Sequence, residues 1–159
     1  MILVIISIRP ELNIDAEIEN ILEKTAKKTL EIEKSEDCEV SIHLTNDDEI
    51  KELNLTYRGV DSPTDVLAFA MREGDDGDPN SEILGDVVIS IETAERQAKE
   101  CSHGIRAELS LLIVHGILHL LGYDHAKREE ADLMQEKQKK ILLSLGYDLS
   151  EVKLKLETD

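Results

Sequence analysis

Three of the chain's five histidines fall within HGILHLLGYDH, residues 115 to 125, at a spacing that suits one metal ion. His115 and His119 lie four residues apart, about one helical turn, so both imidazoles leave the same helix face. Gly122, directly after Leu120-Leu121, is the residue type that closes a helix in a left-handed conformation. That reversal swings Tyr123-Asp124-His125 back toward the two rings, and His125 completes a facial set. Three neutral imidazoles with a fourth coordination place open are the arrangement of a catalytic rather than a structural zinc, so one Zn2+ per chain is expected. Such an ion lowers the pKa of its water to about 7 and polarises a substrate oxygen.

The elements that must position these rings follow from periodicity. Strands are expected over residues 2–9, 39–44, 66–70 and 85–90. Asp15 opens a helix whose Ile18, Ile21, Leu22, Thr25, Thr29 and Leu30 share one face. A capping pair, Thr45 with Asp48 or Asn46 with Glu49, starts a second helix that carries Ile50, Leu53 and Leu55 inward and ends near Tyr57. Three more helices are expected over 92–101, 105–121 and 126–145, with Leu133, Met134, Ile141, Leu142 and Leu145 forming the apolar stripe of the last and Lys137, Lys139 and Lys140 solvated. Four strands among about five helices, without repeat or linker, predict an α+β fold with one mixed sheet and a single domain over residues 1–159. His43, in an alternating strand, reads as a satisfied sheet histidine, and His103 as a helix terminator. The acidic stretch Glu73–Glu82 reads as a solvated loop, since the ligand order of a calcium loop is missing.

With 35 acidic against 18 basic residues the net charge is -17, which opposes non-specific binding to phosphate backbones, DNA included, or to anionic membranes. Aromatic residues make up 3%, too few for the stacking platforms of common single-strand binders. The apolar run Met1–Ile8 stops at Arg9-Pro10, short of the ~20 residues a membrane helix needs. Cys38 and Cys101 match no disulfide or C-x-x-C pattern. A soluble, cytoplasmic protein is expected.

The histidine spacing also occurs in the zinc-peptidase pattern H-E-x-x-H-x-x-G-x-x-H, met here by His115, His119, Gly122 and His125. Gly116 stands where such a peptidase carries its general-base glutamate, so peptide hydrolysis lacks its usual proton acceptor. Together with LNLTYRG (53–59), PTDVLAF (63–69) and LGD (84–86), the histidine block resembles the YbeY-type endoribonuclease family, from about Ile42 to Tyr147. The resemblance implies a zincin-like α+β domain with a small sheet covered by helices. It also implies a single-strand-specific, metal-dependent endoribonuclease that matures ribosomal RNA (16S rRNA 3′ end) and serves ribosome quality control. Single-stranded RNA, especially rRNA, and the ribosome or a ribosomal protein are the partners it implies.

On the matching motifs, His115, His119 and His125 bind zinc, and Arg58 joins His115 as a catalytic residue. A guanidinium beside a metal can hold a phosphodiester through paired hydrogen bonds and neutralise charge growing on it. Ala68 replaces the serine of the family's TDVLSF segment, which removes any part that hydroxyl plays. Asp65 reads as a local backbone cap, Asp86 as either a cap or a support for a ligand, and Asp124 as a brace for His125. Tyr57 and Tyr123 suit either base stacking or packing. Two other functions stay open: a metallopeptidase-like hydrolase, and a non-catalytic, zinc-stabilised factor of the ribosome.

Overall fold

Val40, Ile42 and Leu44 alternate along β2 (Glu39–Thr45) without exposed surface and commit one face of that strand to the core. A computed structural model describes residues 1–72, 77 and 82–148, and most of the acidic loop lies outside them. The remaining elements are β1 (Leu3–Ile8), α1 (Ala16–Ile32), α2 (Asp47–Arg58), β3 (Val66–Ala70), β4 (Ile83–Ser90), α3 (Ile91–Glu100), α4 (Ile105–Leu120) and α5 (Arg128–Ser144). The strand order is β1-β2-β4-β3, with β1, β2 and β4 parallel and β3 antiparallel on the far edge. The fold is therefore α+β, with five helices around a four-stranded mixed sheet.

α4 lies at the centre because its sequence is apolar all round; every residue from Ala107 to Leu118 is buried. Leu109, Leu112, Ile113 and Ile117 pack in the cluster that holds Leu44, Val87 and Ile89 of the sheet. Leu111, Val114 and Leu118 meet Met134, Ile141 and Leu142 of α5. The polar residues at the start of α4 are paired. His103 Nε2 lies 2.6 Å from Glu108 Oε1, and the Gln97 carboxamide, its nitrogen turned toward Asp65 Oδ2 and Glu108 Oε2, bridges both at 3.0 Å. This links the entry of β3 to α3 and α4. His103 also closes α3 as expected, its backbone N–H donating to the Ala98 carbonyl at 3.0 Å.

Local signals place the helix starts correctly. Asp15 caps α1 through the Ile18 N–H, and Asn46, not Thr45, caps α2 through the Glu49 N–H, both at 2.9 Å. Thr45 ends β2 and donates its hydroxyl to Glu49 instead. His43 is a satisfied sheet histidine between Ser7 and Glu49.

Two apolar assignments need correction. Leu55 is 49% exposed, because it lies five residues past buried Ile50, about 140° round the helix. Leu133 is 46% exposed beside the stripe of Met134, Gln138 and Ile141. Both cysteines are free, and among the described residues no helix is long and apolar enough to cross a membrane.

Candidate metal centre

The buried course of α4 delivers the His115 ring into the interior, 2% exposed, and presents His119 one turn later at the edge of a cavity. The helix then stops on a left-handed Gly122, φ 102°. Its N–H donates to the His119 carbonyl and the Tyr123 N–H to the Leu118 carbonyl, each at 3.0 Å, the paired bonds of a Schellman end. Asp124 Oδ1 accepts the His125 N–H at 2.7 Å, so it fixes the backbone of that turn rather than the imidazole. The chain reversal leaves the three ring centroids 4.6, 5.2 and 5.6 Å apart.

One nitrogen from each ring lies within 4.8 Å of the others. His115 Nε2 and His119 Nε2 are 3.1 Å apart, a separation that calls for a shared proton or a common cation. His125 Nε2 is buried without a hydrogen-bond partner among the described residues. Gln138 Oε1 stands 3.0 Å from His115 Nδ1, which makes that nitrogen the donor and turns the Nε2 lone pair toward the other rings. This donor set fits a divalent ion bound by three nitrogens. Burial, followed by the charges of His125 and Arg58, holds the His119 pKa below the ordinary imidazole value, with Asp124 opposing. The neutral form that coordinates metal is thereby favoured at neutral pH.

The cavity holds about 260 Å³ and is lined by His115, His119, Tyr123, Asp124 and the alternate β3 residues Val66, Ala68 and Ala70. Arg58 reaches its rim from the last turn of α2, where left-handed Gly59 ends the helix. Arg58 Nη2 donates to the Ala68 carbonyl at 3.2 Å. Gly116 forms part of the wall; a Cβ there would meet Val87 Cγ1 at 2.8 Å.

The model of the family described as Endoribonuclease YbeY matches residues 6–146. This chain belongs to the YbeY endoribonuclease family. It is 50% identical over 119 residues to an endoribonuclease YbeY of Heliobacterium modesticaldum, covering 70% of this chain and 72% of the relative. To the Desulforamulus reducens endoribonuclease YbeY it is 40% identical over 152 residues, covering 93% and 99%. A Thermotoga maritima protein solved in solution is similar in structure, with TM-score 0.61 and 32% identity across 96% of this chain and 97% of that one.

In this YbeY-family chain the residues singled out by spacing and motif converge: His115, His119 and Arg58 share the cavity, and His125 stands against the two histidines. Asp86 does not join them. Its neighbour Val87 faces Gly116, so strand alternation points Asp86 to the opposite side of the sheet, where it is exposed. Asp65 caps locally, accepting the Val66 N–H at 2.7 Å. Tyr57 is exposed and meets Phe69 edge-on. Tyr123 is held by packing and by its hydroxyl, which donates to Glu33 Oε1 at 2.6 Å. Lys137, expected in solvent, completes this clamp 3.4 Å from the buried Glu33 carboxylate.

Sequence reasoning missed Gln138, although a signal existed: it is a polar residue on the apolar stripe of α5, between Met134 and Ile141. Gln138→Leu removes the brace on His115, and zinc affinity measured by chelator competition should fall about 10–100-fold with the fold retained. Gly116 lacks a side chain because Val87 occupies the space one would take. Gly116→Ala should lower stability by about 1–3 kcal/mol, read from denaturant melts, because Val87 must move. An unchanged midpoint would show that the sheet yields freely there.

Proposed function

We propose that this chain is a zinc-dependent, single-strand-specific endoribonuclease acting in ribosomal RNA maturation, including the 16S rRNA 3′ end, and in ribosome quality control. The observation that carries the reading is that two imidazoles and one guanidinium share one cavity, with the ligand nitrogen of a third imidazole within 4.8 Å of the other two. In this reading His115, His119 and His125 hold one zinc ion, and residues 1–159 act as a single cytoplasmic domain. When bound, zinc supplies Lewis acidity and a water of lowered pKa. Arg58 binds the phosphodiester. Its guanidinium stands at the cavity rim, and its charge offsets the negative charge that builds on the phosphate during cleavage. His115 is oriented by Gln138, so its ring does not need to reorganise as substrate enters.

A net charge of -17 repels RNA at long range, so attraction must be local to the metal and Arg58. That favours substrate presented by a partner, the ribosome or a ribosomal protein. The metallopeptidase alternative is disfavoured by Gly116, where a glutamate side chain would strike Val87. The decisive experiment offers the zinc-loaded protein one end-labelled RNA as a single strand and as a duplex. Cleavage of the single strand alone is expected; equal cutting of both, or none, would overturn the reading.

A further inference from the structure

One wall of the cavity is formed by residues of β3, which among the described residues bonds β4 on one side only. The Met71 N–H donates to the Leu84 carbonyl and the Ser90 N–H to the Asp65 carbonyl, so residues 65, 67, 69 and 71 direct their backbone groups at β4. Those of Val66, Ala68 and Ala70 therefore point away from the sheet. Two are engaged: the Val66 N–H by Asp65 Oδ1 and the Ala68 carbonyl by Arg58. Ala70 presents a donor and an acceptor side by side, with only a methyl group beside them, and it is half-buried against the cavity.

We propose that the outward N–H and C=O of Ala70 bind the hydrogen-bonding edge of an unpaired nucleobase adjoining the phosphate held by Arg58. This rests on the endoribonuclease reading. Every base offers adjacent donor and acceptor groups on its Watson–Crick edge, so such a contact tolerates sequence but requires that edge to be free. A duplex consumes it. The backbone of β3 thus gives a physical cause for single-strand preference in a protein poor in stacking aromatics. Ala68 and Ala70 lie about 7 Å apart along the strand, which sets the guanidinium anchor and the base contact side by side. A peptide could also extend a sheet edge, but it needs successive outward groups, and Arg58 interrupts the run at Ala68.

The test has two arms. In the first, zinc-loaded, isotope-labelled protein is titrated with a short single-stranded oligoribonucleotide carrying non-cleavable 2′-O-methyl sugars. The Ala70 amide proton should move downfield on saturation, and should not move with the duplex or with an abasic strand. In the second, an abasic nucleotide beside the cut should slow cleavage by wild type about fivefold to tenfold, the worth of one or two hydrogen bonds. Ala70→Pro removes the donor at an edge position that proline tolerates, and should cleave base-bearing and abasic strands at the same reduced rate. Ala70→Gly keeps the N–H and should keep the difference.

An Ala70 amide unmoved at saturation, or a full abasic penalty in Ala70→Pro, would overturn the proposal while leaving RNA cleavage standing. An Ala70 amide that answers to an extended peptide and not to RNA would overturn it too. A wild type that cuts no RNA would remove the endoribonuclease reading and this inference with it. Zinc content and thermal midpoint check the proline variant, and if it does not fold the amide shift decides alone.

Discussion

His115→Ala should abolish zinc binding and RNA cleavage together. The ring is 2% exposed, braced by Gln138 on one nitrogen and facing His119 with the other, so its loss removes an oriented ligand. Two imidazoles remain, one of them on the turn after α4. The loss of zinc affinity should exceed the about 10–100-fold that removing an outer partner such as Gln138 costs. Elemental analysis of the purified variant, paired with end-mapping of ribosomal RNA exposed to it, reads both effects. Neighbouring Val114 and Leu118 still anchor α4 against α5, so circular dichroism should report an intact fold. Full zinc occupancy in the variant would mean that the ion sits elsewhere.

Arg58→Ala should separate chemistry from metal binding. Arg58 is exposed at the end of α2, so its removal should change stability by less than about 0.5 kcal/mol. Zinc content should be unchanged. Single-turnover cleavage should nevertheless fall about 10²–10³-fold, the cost of removing one donor aimed at developing charge. Arg58→Lys keeps the charge without the planar fork and should recover only part of the rate. Undiminished turnover in Arg58→Ala would overturn the phosphate-binding role of the guanidinium.

Both expectations concern residues that were legible before any coordinates. The three-histidine cluster is readable because its code is local: four residues separate His115 from His119 by one turn, and a glycine at the helix end returns the chain toward the same face. Arg58 was legible only through its motif, since an arginine at a helix end carries no spacing signal of its own. The strands and helices are legible in the same local way, from apolar periods of two and of 3.6 residues, which misplace only the burial of single residues such as Leu55 and Leu133.

By itself, then, the amino-acid sequence determined the elements and the three-histidine cluster, because each depends on neighbours close along the chain. Tertiary structure decided the rest. Gln138 meets His115 across 23 residues, Glu33 meets Tyr123 across 90, Val87 excludes a side chain at position 116, and the edge position of β3 exposes Ala70. Those contacts depend on strand order and on how helices cross the sheet. No one-dimensional period encodes them, because they arise only when distant segments compete for the same volume.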